Sequence, residues 1–160
     1  MSTLWQDRQR RIGKMIASWI VKRMVQTGFD AMNQDDFDVD ALVKQWADDA
    51  VYDVGSELGV GETIRGKKAI AEWFERWKKE FPKRKFDVKS ICFSAWPLMP
   101  RYVMTVQWSL TETDTQGKEY KWDGVSVLQM KNFKTVRGTE HISMLGLPQL
   151  SNLIKPTGKA

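Results

Sequence analysis

The stretch WADDAVYDVGSE, residues 46–57, crowds carboxylates around a tyrosine, and TEHIS, residues 139–143, sets Glu140 beside His141. Carboxylate, phenol and imidazole are the side chains of general acid–base chemistry. A carboxylate facing an apolar cavity has its pKa raised, which suits it to shuttle a proton near neutral pH. Glu140 is the first candidate for that role; an ion pair with Arg137 or a lysine at a sheet rim is the structural alternative. Tyr52 could orient a substrate or donate to a developing oxyanion, or pack with its hydroxyl satisfied. His141 is the chain's one histidine, with an unperturbed pKa of about 6.5 that makes it a catalytic candidate. On a strand, however, it points away from the face that Glu140 occupies, and a lone histidine is more often packed than catalytic. Asp123, in KWDGV, is out of step with Trp122 and Gly124 and reads as a surface or interface residue.

Other chemistries find little support in the residues. One cysteine and one histidine cannot furnish a closed zinc site, and Cys92 has no partner for an intramolecular disulfide. Cys92 reads as a core residue, and no metal or other cofactor is expected. GVGETIRG lacks the GK[ST] that follows the glycines of a phosphate cradle and reads instead as a flap over a pocket mouth. The formal charge of +5 comes mainly from RQRR and WKKEFPKRK. Lys78, Lys79, Lys83, Arg84 and Lys85 read as a solvated cap at a helix C-terminus, whose dipole favours cations. No nucleic-acid motif accompanies them, so nucleic acid is not the expected partner. The apolar run Met15–Val21 is broken by Lys22 and Arg23, is too short to span a bilayer and lacks a small-residue cleavage site. A cytoplasmic location with no membrane partner is the expectation.

The elements that must position these groups follow from periodicity. Apolar residues at Ile12, Ile16, Trp19, Ile20, Val21, Met24 and Val25 mark a long first helix toward Gly28, continued through FDAMNQ. A second helix, VDALVKQWADD, starts near Val39 with Asp38 as its N-cap. AVYDVGSE reads as a strand, LGVGETIRG as a loop, and KKAIAEWFERWKKEF as a third helix that Pro82 ends. The period then changes: KFDVKSICFSAW, RYVMTVQWSLTETD, KEYKWDGVSVLQMK and KTVRGTEHISML form four strands of an antiparallel meander. Helices first and strands second indicate an α+β domain. With 160 residues, 42% hydrophobic composition and eight tryptophans, one domain with a substantial core is expected over residues 1–160, with 151–160 as a tail. A sheet curved around a long helix closes at one end and leaves a cavity at the other.

The order of these segments, from FDAMNQDDFDVDALVKQWADDAVYDVGSE through IRGKKAIAEWFERW to GKEYKWDGVSVLQMKNFKTVRGTEHIS, resembles the nuclear transport factor 2-like superfamily, in particular its SnoaL-like branch of polyketide cyclases, ketosteroid isomerases and limonene epoxide hydrolases. The resemblance spans about residues 15–150. It implies a cone-shaped curved sheet wrapped around the first helix with two further helices, and a homodimer formed through the outer sheet face. Its site residues carry over unevenly. ADDAVYDVGSE resembles the segment with the isomerase's general base; the ungapped match is Val54, with Asp53 one residue off and able to enter only through a bulge. The isomerase's tyrosine and protonated acid fall on Gly28 or Phe29 and on Ser126. In the epoxide hydrolase comparison Tyr52 and Glu140 match, whereas the arginine–aspartate pair falls on Gln107 and Ser109. The cyclase aspartate falls on Ser143.

The family register then places Gly138, Glu140 and Ile142 inside, with Trp122, Gly124 and Ser126 on the next strand and Thr105, Gln107 and Ser109 opposite. Glu140, Tyr52, Asp53 and His141 are the catalytic candidates, and Gln107, Ser109, Trp122, Ser126, Val54 and Ile142 the ligand contacts. The expected function is a cofactor-free enzyme (isomerase, cyclase, dehydratase or other lyase) acting on a hydrophobic small molecule, aromatic or polycyclic because Trp122 lines the pocket. The alternative is a non-catalytic binding or assembly module of the same fold.

Overall fold

The computed structural model describes residues 3–55, 61–95 and 99–143, with side chains at Met15 and from Ser18 onward. The expected tail, the segment LGLPQL, Trp96 and the first two residues of the expected flap, Gly59 and Val60, lie outside those described residues, as do the side chains of Ile12 and Ile16 on the first helix. The elements are α1 (Thr3–Met32), α2 (Val39–Val43), β1 (Trp46–Val54), β2 (Glu62–Arg65), α3 (Lys67–Glu80), β3 (Lys83–Phe93), β4 (Arg101–Thr113), β5 (Glu119–Lys131) and β6 (Lys134–Ile142). The fold is α+β, with three helices among the described residues and a curved, unclosed sheet in the order β2-β1-β6-β5-β4-β3.

The meander of β3 to β6 forms as its alternation predicts, every neighbour antiparallel. Two features differ from expectation around β1. WADD is not a helix end: α2 stops at Val43, and Trp46 already belongs to β1, where it pairs with Thr135 of β6. The parallel β1–β6 pairing, with Thr135 N donating to Gln45 O at 2.8 Å, captures a segment whose local propensity allowed helix. ETIR, expected within a loop, is β2, an edge strand pairing antiparallel with β1 from Val51–Arg65 to Val54–Glu62. Only Ile64 of β2 is buried, so this short strand has almost no alternation by which to be recognised.

Asp38 caps α2 as expected, its carboxylate accepting from Ala41 N at 2.9 Å. Of the periodic apolar face of α1, Val25, Phe29 and Met32 reach the core, while Trp19, Ile20 and Met24 are exposed. Asn33, just past α1, ties the helix to the sheet: its amide donates to Phe86 O at 3.1 Å and accepts from Phe86 N at 2.5 Å. Arg84 corrects the solvated-cap reading. It is 4% exposed, and its guanidinium donates to the carbonyls of Met32, Gln34, Asp35, Lys78 and Phe81 while lying over the Phe37 and Trp77 rings. Those carbonyls belong to the ends of α1 and α3, where the last helical C=O groups have no intrahelical partner. Arg84 therefore serves as a buried C-cap shared by two helices. Cys92 is exposed on β3 rather than in the core.

Candidate active site

The concave side of the sheet encloses a cavity of about 1320 Å³, lined from α1, α3 and β1 through β6. Its inner face on β5 and β6 follows the expected register: Trp122, Ser126, Glu140 and Ile142 all line it. Two glycines make this face possible. A Cβ on Gly124 would stand 2.5 Å from the Trp108 ring, and one on Gly138 2.7 Å from the Trp46 ring, so only glycine admits these indoles against the sheet.

Glu140 is the centre of a hydrogen-bonded chain. Ser126, directly across the β5–β6 ladder, donates Oγ–H to Glu140 Oε2 at 2.7 Å, and Tyr52 donates its phenol to Oε1 at 3.3 Å. Trp108 Nε1 donates to Ser126 Oγ at 2.9 Å. Indole is a donor only, so it fixes Ser126 as acceptor on that side and directs the serine proton to the carboxylate. Burial pushes the Glu140 pKa up, against the opposing pull of the Ser126 and Tyr52 hydrogen bonds. Tyr52 is pushed well above its ordinary value by burial and by the Glu140 charge, which keeps it protonated and a donor. Trp46, Trp73 and Phe74 pack around the Tyr52 ring and fix its direction.

Four other candidates stand elsewhere. Asp53 faces the opposite side of β1 from Tyr52 and Val54: Thr63 Oγ1 donates to its Oδ1 at 2.8 Å, and Arg137 Nη2 pairs with Oδ2 at 2.6 Å. No bulge turns it inward, because Asp53 stays in step with Thr63 on β2 and Thr139 on β6; Val54 lines the cavity instead. His141 pairs with Val125 and is exposed on the convex face. Gln107 and Ser109 are also convex: Ser90 donates to Gln107 Oε1 at 3.2 Å, and Ser109 donates to Asp123 at 2.6 Å. On β4 the residues facing inward are Tyr102, Met104, Val106, Trp108, Leu110 and Glu112. The family register is one residue out on this strand, and the strand's own alternation, RYVMTVQWSLTET, marks the correct face.

That alternation also carries to Glu112, which the family comparison passes over. Glu112 is 5% exposed and lines the cavity. Its Oε1 accepts from Trp122 Nε1 at 2.7 Å and its Oε2 from Trp77 Nε1 at 3.1 Å. Burial raises its pKa to about 7, against the lowering effect of the two indoles and of Arg84. Among the described residues no cluster of three or more His, Cys, Asp or Glu could hold a metal ion. Nor is any helix there long and apolar enough to cross a membrane.

A cone of this topology, with the cavity on its concave face, is the architecture of nuclear transport factor 2-like proteins. Residues 25–138 match the SnoaL-like domain, and the chain belongs to that family. No curated protein matches the sequence. Among solved structures, the fold resembles a candidate aromatic ring hydroxylase from Novosphingobium aromaticivorans (TM-score 0.68, 17% identity, covering 83% of this chain and 91% of that one). It also resembles a candidate polyketide cyclase from Xanthomonas campestris pv. campestris (0.55, 18%, 83% and 93%). TerC, co-crystallised with polyporic acid, is a third structure of similar fold (0.56, 15%, 88% and 97%). At these identities the likeness is one of fold.

Proposed function

We propose that the protein is a cofactor-free enzyme of the isomerase, cyclase or lyase type, acting on an aromatic or polycyclic small molecule. The observation that carries this reading is a carboxylate held in an aromatic cavity by two hydroxyl donors, Tyr52 and Ser126. Glu140, its pKa raised by burial, removes a proton from the bound substrate and returns it to another atom of the same molecule. Tyr52, whose 3.3 Å bond to Glu140 is long, turns its proton toward the oxygen on which negative charge develops. Ser126 re-donates to whichever Glu140 oxygen carries the charge, its position kept by Trp108. The aromatic walls, Trp108 and Trp122 among them, suit a flat hydrophobic ligand. Crystallisation of TerC, a protein of similar fold, with a small ligand, polyporic acid, is in keeping with this reading.

A second reading, a binding module without turnover, draws on the inner face of β4, where Val106, Trp108 and Leu110 stand in a run with no acid or base. In both readings the convex face, carrying Gln107, Ser109, Asp123 and His141, is the surface for a homodimer. The deciding experiment is a thermal-shift or native mass spectrometry screen of polycyclic aromatics, steroids, terpene epoxides and lactones, followed by product analysis of each hit. Conversion that Glu140→Gln abolishes, with binding retained, supports the enzyme. Stabilisation without conversion supports the module, and an absence of any hit overturns both.

A further inference from the structure

Glu112 takes no part in the proton transfer described above, yet its carboxylate borders the same cavity. Each carboxylate oxygen has room for two hydrogen bonds, and each is given one by an indole, from Trp122 and from Trp77. Among the described residues no lysine or arginine forms an ion pair with it. Arg84 stands directly opposite Glu112 on the β3–β4 ladder and its charge acts on the carboxylate, but its guanidinium is spent on five backbone carbonyls and makes no ion pair with it. A buried carboxylate with one donor on each oxygen and no ion-pair partner has acceptor positions to spare, and a ligand donor would fill one.

Its place along the sheet sets the length of such a ligand. Val106 pairs with Ser126, and Ser126 with Glu140; Glu112 lies six residues further along β4. At about 3.3 Å per residue this is about 20 Å of backbone, too far for the two carboxylates to share one proton or one functional group. The lining between them includes Trp108, Leu110 and Trp122.

We infer that Glu112 is a specificity residue for the distal end of an elongated aromatic ligand, accepting a hydrogen bond from a hydroxyl or N–H donor there while the reacting end lies at Glu140. This rests on the reading of the cavity as a ligand site, although not on turnover. It adds a requirement that the Glu140 site alone does not impose: the ligand carries a polar donor remote from its reacting centre.

The test compares trans-stilbene with 4-hydroxystilbene and 4,4′-dihydroxystilbene, titrated by fluorescence against the wild-type protein, Glu112→Gln, Glu112→Met and Glu140→Gln. In the wild type a terminal hydroxyl tightens binding by about tenfold. Read as the ratio to trans-stilbene within each protein, Glu112→Met removes that preference and Glu112→Gln reduces it to a few-fold, whereas Glu140→Gln keeps it. Equal binding of the three probes by the wild type overturns the inference. So does a preference that survives in both Glu112 variants, or one that disappears only in Glu140→Gln, and in either case the cavity stands as the ligand site. Failure of the wild type to bind any probe overturns the cavity reading with it. If Glu112→Met does not fold, binding of trans-stilbene is lost with it, and Glu112→Gln, which keeps the size of the side chain, decides.

Discussion

Glu140 and Glu112 are both carboxylates on the concave face of one sheet, both with pKa values raised by burial, and their neighbours make them different instruments. Glu140 is held by two hydroxyls, which donate and accept and can reverse direction when the carboxylate gains a proton. Glu112 is held by two indoles, which donate only and cannot pass a proton on. A raised pKa therefore does not by itself mark a proton shuttle; the partners must be able to follow the proton. By this criterion the proposed proton transfer belongs to the Glu140 end and the proposed recognition to the Glu112 end.

The sharpest way to separate the two ends is kinetic. With a substrate from the screen in hand, Glu140→Gln should lower kcat by about 10²–10⁴-fold, whereas Glu112→Gln should act mainly by raising KM. Equal losses of kcat in both variants would break the distinction. Next in size is Arg84→Met, which strips five carbonyls of their shared donor near the Glu112 end and should destabilise the fold by about 3 kcal/mol in chemical denaturation. A loss below about 1 kcal/mol would show those carbonyls to be otherwise satisfied.

The acid–base difference also has a stability signature. Glu112 titrates at about 7 in the folded state against 4.5 unperturbed, so the folded protein binds more protons between these values. Its contribution to stability is complete below about pH 4.5 and is lost as pH rises through about 7, a change of up to about 3 kcal/mol. Arg84 and Glu80 are the charged groups acting on it, and the two indoles complete its surroundings. Glu140 is shifted in the same direction, so Glu112→Gln should flatten much of the slope of unfolding free energy over this window, and the double variant with Glu140→Gln nearly all of it. An unchanged slope in Glu112→Gln would place its pKa at the ordinary value.

Smaller still, Ser126→Ala leaves the Trp108 N–H unpaired and removes a donor that lowers the Glu140 pKa. It should cost about 1–2 kcal/mol and move the acidic limb of the pH–rate profile upward. Gln107→Ala and Ser109→Ala, both on the convex face, should change stability by less than about 0.5 kcal/mol and leave turnover intact. A loss of turnover in either would mean that the convex face reaches the chemistry.

These side chains show where local pattern suffices and where it misleads. The meander, α3 with its stop at Pro82, and the Asp38 cap follow from alternation, from 3.6-residue periodicity and from a side chain that can satisfy a helix N-terminus; each depends on neighbours close in sequence. Alternation likewise placed Gly138, Glu140 and Ile142 on one face once β6 was read as a strand, and the family register added Ser126 from β5. On β4 the same rule, followed alone, would have put Glu112 inside and Gln107 and Ser109 outside, and the family register pointed the wrong way because one residue of slip reverses every side chain of a strand. WADD could not be assigned locally, since the pairing that makes it a strand, Trp46 with Thr135 of β6, comes from more than half the chain away.

What the sequence determined by itself is the inventory and the faces: an α+β chain with a strand meander, an apolar concave surface, and few acids able to enter it. Tertiary structure alone decided their chemistry. Whether a carboxylate meets hydroxyls or indoles, and whether Arg84 lies in water or among five carbonyls, depends on groups brought together from strands and helices distant in sequence. Burial and hydrogen bonding, which set a group's pKa and its freedom to exchange a proton, exist only once those distant groups are packed together.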